Sequence, residues 1–489
     1  LVWRILWALG RRKAELGRGP FLEYAASEVP LERLFALRGL AELAPDAAAV
    51  RAAAAALAGP SASKDWRVAF EAARALGRFG ASTRADPATR ELLGKELPLE
   101  ALEAATLAAS PHVRAAAMEA AASFGDVRRV REILQRGRLD LSAGVRAATL
   151  RARVRLGPAE DALEALQRGA RDEDLVLRAA AADAAGAWSD PRAGEVLLGL
   201  ARDPSLFVAT RALEQLGQHP GEATRKALHA ALAQPDNGLR LAAVMGLKAM
   251  PDAADVEPVR AALASAEGDG SAELAFTALE LLAAIGGAPA QTAIEEAQAD
   301  PRPHVRTVAK RLVRQLGFVP ATAEPPFVPD RPVPLPGTDY PAWRFNPLVE
   351  LRTTRGTLAF ELFPAEAPVH VHNFLTLIRA GHYDKLTFHR VVPSFVVQGG
   401  DYRGDGNGAK PWAGEALRAE FTPRRSTRGS LGMPRNEDPD SGGSQFFVTH
   451  LPTPHLDGRY TFFGELRAGG DVLDQLEVGD RILSARVLE

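Results

Sequence analysis

Phe388-His389-Arg390-Val391-Val392-Pro393-Ser394-Phe395-Val396-Val397-Gln398-Gly399-Gly400-Asp401 is the stretch that decides how the C-terminal third of this 489-residue chain folds. Residues 394–398 are rich in β-branched and aromatic side chains and run into a Gly-Gly pair, the pattern of a short strand ending in a turn. Arg390 stands among apolar strand residues, where a charged side chain needs a partner or a task. Four more runs read as strands, at 348–353, 356–362, 445–449 and 460–464. With Gly-rich turns between them, they predict an antiparallel sheet closed into a β-barrel. Residues 371–380 and 472–476 carry helical patterns, the first ending at Gly381, so the barrel is expected to have two helices.

Upstream the periodicity changes. Residues 1–316 are rich in Ala, Leu, Arg and Glu, which favour helix. One phrase recurs: an apolar anchor, usually Arg, then small apolar residues. Its anchors are Val113, Val145, Leu177, Phe207, Leu239, Leu274 and Val305, stepping by 32, 32, 30, 32, 35 and 31 residues. That period holds two short helices and their turns, and each pair buries its apolar face only by stacking on its neighbours. The expected product is an all-α superhelical solenoid. Small Ala positions let helices approach, and Asp203-Pro204 and Asp300-Pro301 separate one helix from the next. The repeats resemble HEAT repeats, particularly the short Ala-rich bacterial type also seen in bilin lyases. Earlier copies sit near Leu37-Arg38 and Trp66-Arg67, and Trp3-Arg4 suggests the remnant of another. The Arg after each anchor reads as a structural ladder that bonds carboxylates or carbonyls of the next repeat.

Between the halves, nine prolines fall from Pro320 to Pro347. Proline fixes φ and removes donors, so 317–343 reads as an extended linker. The expected organisation is therefore solenoid 1–316, linker 317–343 and barrel 344–489. Leu1 is not Met, and the residues after it read as the inside of a helix, so the chain is expected to be N-terminally incomplete or processed. Cytoplasmic and extracytoplasmic locations both stay open.

The bulk numbers exclude several classes. Charged residues are 25% and hydrophobic residues 46%, as in a folded globular protein. No apolar run approaches the length of a membrane span. The net charge is -2, with acidic and basic residues nearly balanced in both halves, so nucleic acid is not an expected partner. There are no cysteines, which removes disulfides, thiol nucleophiles and cysteine zinc sites.

The opening stretch is the first of three linked phrases that resemble the cyclophilin signatures. The second is Gly443-Ser444-Gln445-Phe446-Phe447-Val448-Thr449; the third is His455-Leu456-Asp457-Gly458-Arg459-Tyr460-Thr461-Phe462-Phe463-Gly464. Ala367-Pro368 followed by Asn373-Phe374-Leu375 fits that family's first helix. The resemblance implies peptidyl-prolyl cis/trans isomerase activity on proline-containing clients. Rotation about an X-Pro bond breaks amide resonance, a barrier of about 18–20 kcal/mol, and no bond to the substrate need form. No metal, cofactor or nucleophile is required. By the same resemblance, Arg390 donates to the imide nitrogen as it becomes pyramidal, and Gln398 orients Arg390 and bonds the substrate carbonyl. Phe395, Phe447 and Leu456, with Val396 beside them, form the proline pocket. Arg435 offers backbone groups to the residue before proline, Met433 precedes it, and Gln445 lies along the groove.

Three positions depart from the best-known eukaryotic form. Tyr460 stands where a histidine is usual and His455 where a tryptophan is usual at the rim, and the lost indole weakens the expectation of tight cyclosporin binding. Pro434 gives up a backbone donor next to Arg435. Two other readings compete: a non-catalytic proline-binding scaffold, and a solenoid with lyase chemistry. A protein partner on the solenoid is also expected.

Several signals read as structural. Gly404-Asp405-Gly406-Asn407-Gly408 lacks the helix or spaced carboxylates of a phosphate or calcium loop and reads as a turn. His370 and His372 read as surface histidines without a third metal ligand. His389 reads as buried and hydrogen-bonded. Gly443-Ser444 lacks the context of a nucleophile elbow.

Overall fold

Each anchor of the repeat lies in the first turn of a helix. In the computed structural model the described residues are 1–58, 65–82, 86–93, 96–125, 128–268, 270–317, 345–411 and 416–488. Apart from Gly317, the proline-rich segment expected as a linker at 317–343 lies outside them. The chain divides into two compact units, Leu1–Ala184 and Ala185–Glu489.

In the first unit, helix Trp66–Ala81 packs on Pro111–Ala121, which packs on Ala143–Leu156. Helices Arg128–Gly137 and Ala159–Gly169 alternate with them. In the second unit, helices Leu206–Leu216, Asn237–Lys248, Ser271–Ile285 and Pro303–Leu316 stack in the same way. Val113, Val145, Leu177, Phe207, Leu274 and Val305 are buried, while Leu239 is half-buried. Close approach is built in at Gly246, where a Cβ would come within 2.5 Å of the Leu213 carbonyl.

The arginine ladder is structural, but its main acceptors differ from the expectation. Arg114, Arg146, Arg178 and Arg306 each donate through Nη1 to the carbonyls five and six residues back, at 2.8–3.2 Å. Each thereby satisfies the turn that enters its own helix. Arg114 also grips Asp140 at 2.7 and 2.8 Å, and Arg240 reaches the Ser265 carbonyl at 3.2 Å, so bonds toward the following repeat occur as well.

The rest of the second unit is an antiparallel sheet of eight strands: β1 (Leu348–Thr353), β2 (Gly356–Leu362), β3 (Arg390–Val392), β4 (Val396–Gly399), β5 (Ser430–Gly432), β6 (Phe446–Thr449), β7 (Phe462–Ala468) and β8 (Ile482–Leu488). Their order is β3-β4-β6-β5-β7-β2-β1-β8. The expected closed barrel is thus corrected: the sheet curls into a half-barrel with β3 and β8 at its edges. The segments flanking those edges meet through the isolated bridge between Thr387 and Arg481 and neighbouring backbone hydrogen bonds, such as Ile482 N–H to the Leu386 carbonyl at 2.8 Å. The physical reason is local: β3 is three residues long, and Lys385 at φ 69° turns the chain just before it. Strands β3, β5 and β8 were not among the expected runs.

The core lies between the inner sheet face and helix Pro368–Arg379, where Val371, Phe374, Leu375 and Ile378 meet Phe360, Tyr383, Phe388 and Phe446. A shorter helix covers Gly470–Leu473. The longer helix starts on a remote carboxylate. Glu420 accepts from the backbone N–H groups of Val369 (3.1 Å) and His370 (3.0 Å), and His370 Nδ1 lies 2.6 Å from it. His370 is therefore buried, not the surface histidine expected, because its ring helps secure the helix N-terminus. His372 is half-buried. Glu420→Ala would leave these groups without their acceptor. The expected cost is about 1–3 kcal/mol in denaturant unfolding of the full chain, partly restored in Glu420→Gln. Among the described residues no helix is long and apolar enough to cross a membrane.

Candidate active site

Register places the key residues in one row. Across β3, β4, β6, β5 and β7 the paired positions are Arg390–Gln398, Gln398–Phe447, Phe447–Gly432 and Gly432–Phe462. Side chains of directly paired residues share a face, so the guanidinium, the amide and the aromatic rings line up side by side. Alternation does the rest. Phe446 and Val448 enter the main core, while Phe447 joins a second cluster with Val396, Leu456 and Phe462, flanked by Phe395 and Tyr460. This is why β6 is buried along its whole length.

The turn between β3 and β4 carries Ser394 at φ 62° and is closed by Phe395 N–H to the Val392 carbonyl at 3.0 Å. It brings Phe395 onto His455, with ring centroids 5.4 Å apart and planes 26° from parallel. Phe447 meets Tyr460 and Phe462 edge-on, each at 5.9 Å. Gly432 permits this packing, since a Cβ there would lie 2.5 Å from the Phe447 ring.

Polar contacts run along the edge of this apolar cluster. Arg390 is exposed on β3 and donates through Nη1 to Gln398 Oε1 at 3.3 Å. Partial desolvation lowers its pKa, against a smaller raising effect of Tyr460. Gln398 Nε2 donates to Gln445 Oε1 at 2.9 Å. Gln445 Nε2 donates to the carbonyls of Gly406 (2.9 Å) and Gly408 (2.8 Å). The segment carrying Gln445 is anchored by Ser444, whose Oγ donates to the Gly400 carbonyl at 2.8 Å, and by Tyr383 Oη on the Ser444 carbonyl at 3.0 Å. Ser444 is fully buried and serves as a brace.

The remaining expected residues fall around the same cluster. Met433 is buried and its N–H is taken by the Thr461 carbonyl at 3.0 Å. Arg435 lies over the Tyr460 ring at 5.0 Å and donates to the carbonyls of Arg459 (3.1 Å) and Asn436 (2.8 Å). His389 is buried, but neither ring nitrogen has a hydrogen-bond partner among the described residues, which corrects the expected bonded histidine. Sequence reasoning passed over Gly432 and Phe462 as site residues. Phe462 lies within the third phrase, but only the pairing of β5 with β7 puts it behind Phe447.

A curled antiparallel sheet carrying a cationic fork beside an aromatic cluster is the arrangement that the cyclophilin resemblance implies for a protein of the proline-isomerase class. Residues 348–488 match the family model of the cyclophilin type peptidyl-prolyl cis-trans isomerases. Peptidyl-prolyl cis-trans isomerase-like 1 of Gibberella zeae is 46% identical over 123 residues, covering 25% of this chain and 75% of that protein. The Helicobacter pylori peptidyl-prolyl cis-trans isomerase is 42% identical over 138 residues, covering 27% and 82%. A solved cyclophilin type isomerase of Cryptosporidium parvum is 30% identical, with a TM-score of 0.29, covering 30% of this chain and 99% of its own. The chain belongs to the cyclophilin-type isomerase family, and it is a peptidyl-prolyl cis/trans isomerase.

Proposed function

We propose that Arg390 is the catalytic donor and that the cluster of Phe395, Val396, Phe447 and Leu456 holds the substrate proline ring. The observation that carries this reading is the single row from Arg390 through Gln398 to Phe447. An enzyme that rotates an imide must bind the twisted form better than either planar form. As resonance is lost, the imide nitrogen gains a lone pair, and a guanidinium that remains charged can donate to it from a rigid fork. Gln398 holds that fork through Oε1. Gln445 continues the groove, with Met433, Arg435, His455 and Tyr460 at its border. The rival reading, a scaffold that binds proline segments without turning them over, predicts affinity without rate enhancement.

Gln398→Leu removes the amide that orients Arg390 while leaving its charge in place. Its kcat/KM on a proline tetrapeptide is expected to fall by about tenfold, the equivalent of one charge-assisted hydrogen bond. Unchanged turnover would remove Gln398 from the mechanism.

The domains are proposed as a HEAT-type repeat solenoid, a proline-rich linker and the isomerase, with the solenoid as a protein-binding surface for clients. Support comes from the stacked helix pairs at a period near 32 residues, an architecture whose extended faces suit macromolecules. A proline-limited protein client should then show a lower KM than a tetrapeptide with the full chain. Equal KM values would leave the helical repeats without that role.

A further inference from the structure

Residues 404–408 read as a plain turn in the sequence, yet the loop 401–408 that contains them connects the site to a repeat helix. Its own bonds are dense. Asp401 accepts from the N–H groups of Arg403 (2.8 Å) and Gly406 (2.5 Å), and Asp405 accepts from Asn407 N–H (2.9 Å). At its centre Arg403, 12% exposed, donates through Nη2 to the fully buried Asp405 carboxylate at 2.9 Å. The same guanidinium reaches out of the sheet domain to Asp236, through Nη2 to Oδ1 at 2.7 Å and through Nη1 to Oδ2.

Asp236 is the N-cap of helix Asn237–Lys248, accepting from Leu239 N–H at 2.9 Å. The next turn is cleared for the arginine: a Cβ on Gly238 would lie 2.4 Å from Arg403 Nη2. On the neighbouring helix Leu206–Leu216, the charge of Arg211 is the smallest of the causes that lower the pKa of His389. Burial alone would raise the pKa of Asp236, but the bonds and charge of Arg403 together with the backbone N–H groups of Leu239 and Gly238 hold it below its ordinary value.

The geometry points to Asp236 and Arg403 as positioning residues for catalysis: through the loop 401–408 the repeat helix holds the carbonyls that hold Gln445. The route has no gap. Asp236 fixes Arg403, Arg403 and Asp401 fix the loop, and Gly406 and Gly408 fix Gln445. Gln445 fixes Gln398, and Gln398 fixes Arg390. A bidentate, largely buried Arg–carboxylate pair is well suited to such a role because its geometry is narrow. The helical repeat is then part of the enzyme's working geometry, beyond any part in holding clients. This rests on the reading of Arg390, Gln398 and Gln445 as the working edge of the groove.

Two substitutions in the full chain test it. Asp236→Ser keeps a good N-cap but is too short to reach Arg403. Gly238→Ala leaves every charge in place and obstructs the guanidinium. Each is expected to lower kcat for a proline tetrapeptide by about three- to tenfold with little change in KM. In a Gln445→Leu background, which is itself slowed, neither should have any further effect. Full wild-type kcat in both variants would overturn the inference, and so would an equal loss with and without Gln445. If Gln445→Leu alone is fully active, the reading of the groove falls and the inference falls with it. Circular dichroism melts identify a variant that has simply unfolded, and Gly238→Ala, which raises helix propensity, then decides.

Discussion

Arg390→Ala is expected to reduce kcat/KM on a proline tetrapeptide by about two to three orders of magnitude, equivalent to about 2.7–4 kcal/mol of transition-state stabilisation. The side chain is exposed on an edge strand and its one hydrogen bond among the described residues is to Gln398, at 3.3 Å, so its removal costs the fold little. The loss should therefore fall on kcat, with proline-peptide binding retained by the Phe447 cluster. Arg390→Lys keeps the charge but loses the fork, and should recover only part of the rate. Exchange spectroscopy on a peptide populating both isomers measures the turnover directly. Wild-type exchange with Arg390→Ala would take this residue out of the mechanism and favour the binding-scaffold reading.

Acid should destabilise the isomerase domain through His389. Burial first of all, with Arg390 and Arg211 adding to it and Asp405 opposing it, lowers its pKa to about 4. In the unfolded chain the same imidazole titrates near 6.5. Between these values the unfolded chain binds more protons, so stability falls as the pH drops from about 6.5 to about 4. The contribution is fully present above 6.5 and flat below 4. Across the window it amounts to about 3 kcal/mol, since each pKa unit is about 1.4 kcal/mol. His389→Leu should remove this slope, and its cost at pH 7 should be small because neither ring nitrogen is hydrogen-bonded among the described residues. Urea midpoints at pH 7, 5.5 and 4.5 for both proteins give the difference, in which unrelated titrations cancel. Parallel curves would show that His389 is not the group responsible.

Much of the site could be read from residue order because its phrases are local. Strands β1 and β2 fall where alternation placed them, and β2 buries Leu358, Phe360 and Leu362 in strict alternation. Other features had no local signal. Strand β5 is three residues long and contains Gly432, too short for a periodicity. His370 resembled a surface histidine because its acceptor, Glu420, is 50 residues away. Residues 404–408 read as a simple turn because Asp236, which the adjoining Arg403 engages, lies 167 residues away in the chain.

Sequence alone was enough to name the chemistry: a proline-isomerase signature behind an alanine-rich helical repeat, with Arg390, Gln398 and Phe447 as the residues to watch. The family and the helical character of the first part were legible because helix period, strand alternation and short signatures depend on neighbours within a few residues. Pairing register, the unclosed edges of the sheet, the partner of His370 and the bond from Arg403 to Asp236 were decided only in three dimensions. Each joins segments far apart in the chain, and such a contact exists only once packing has brought them together.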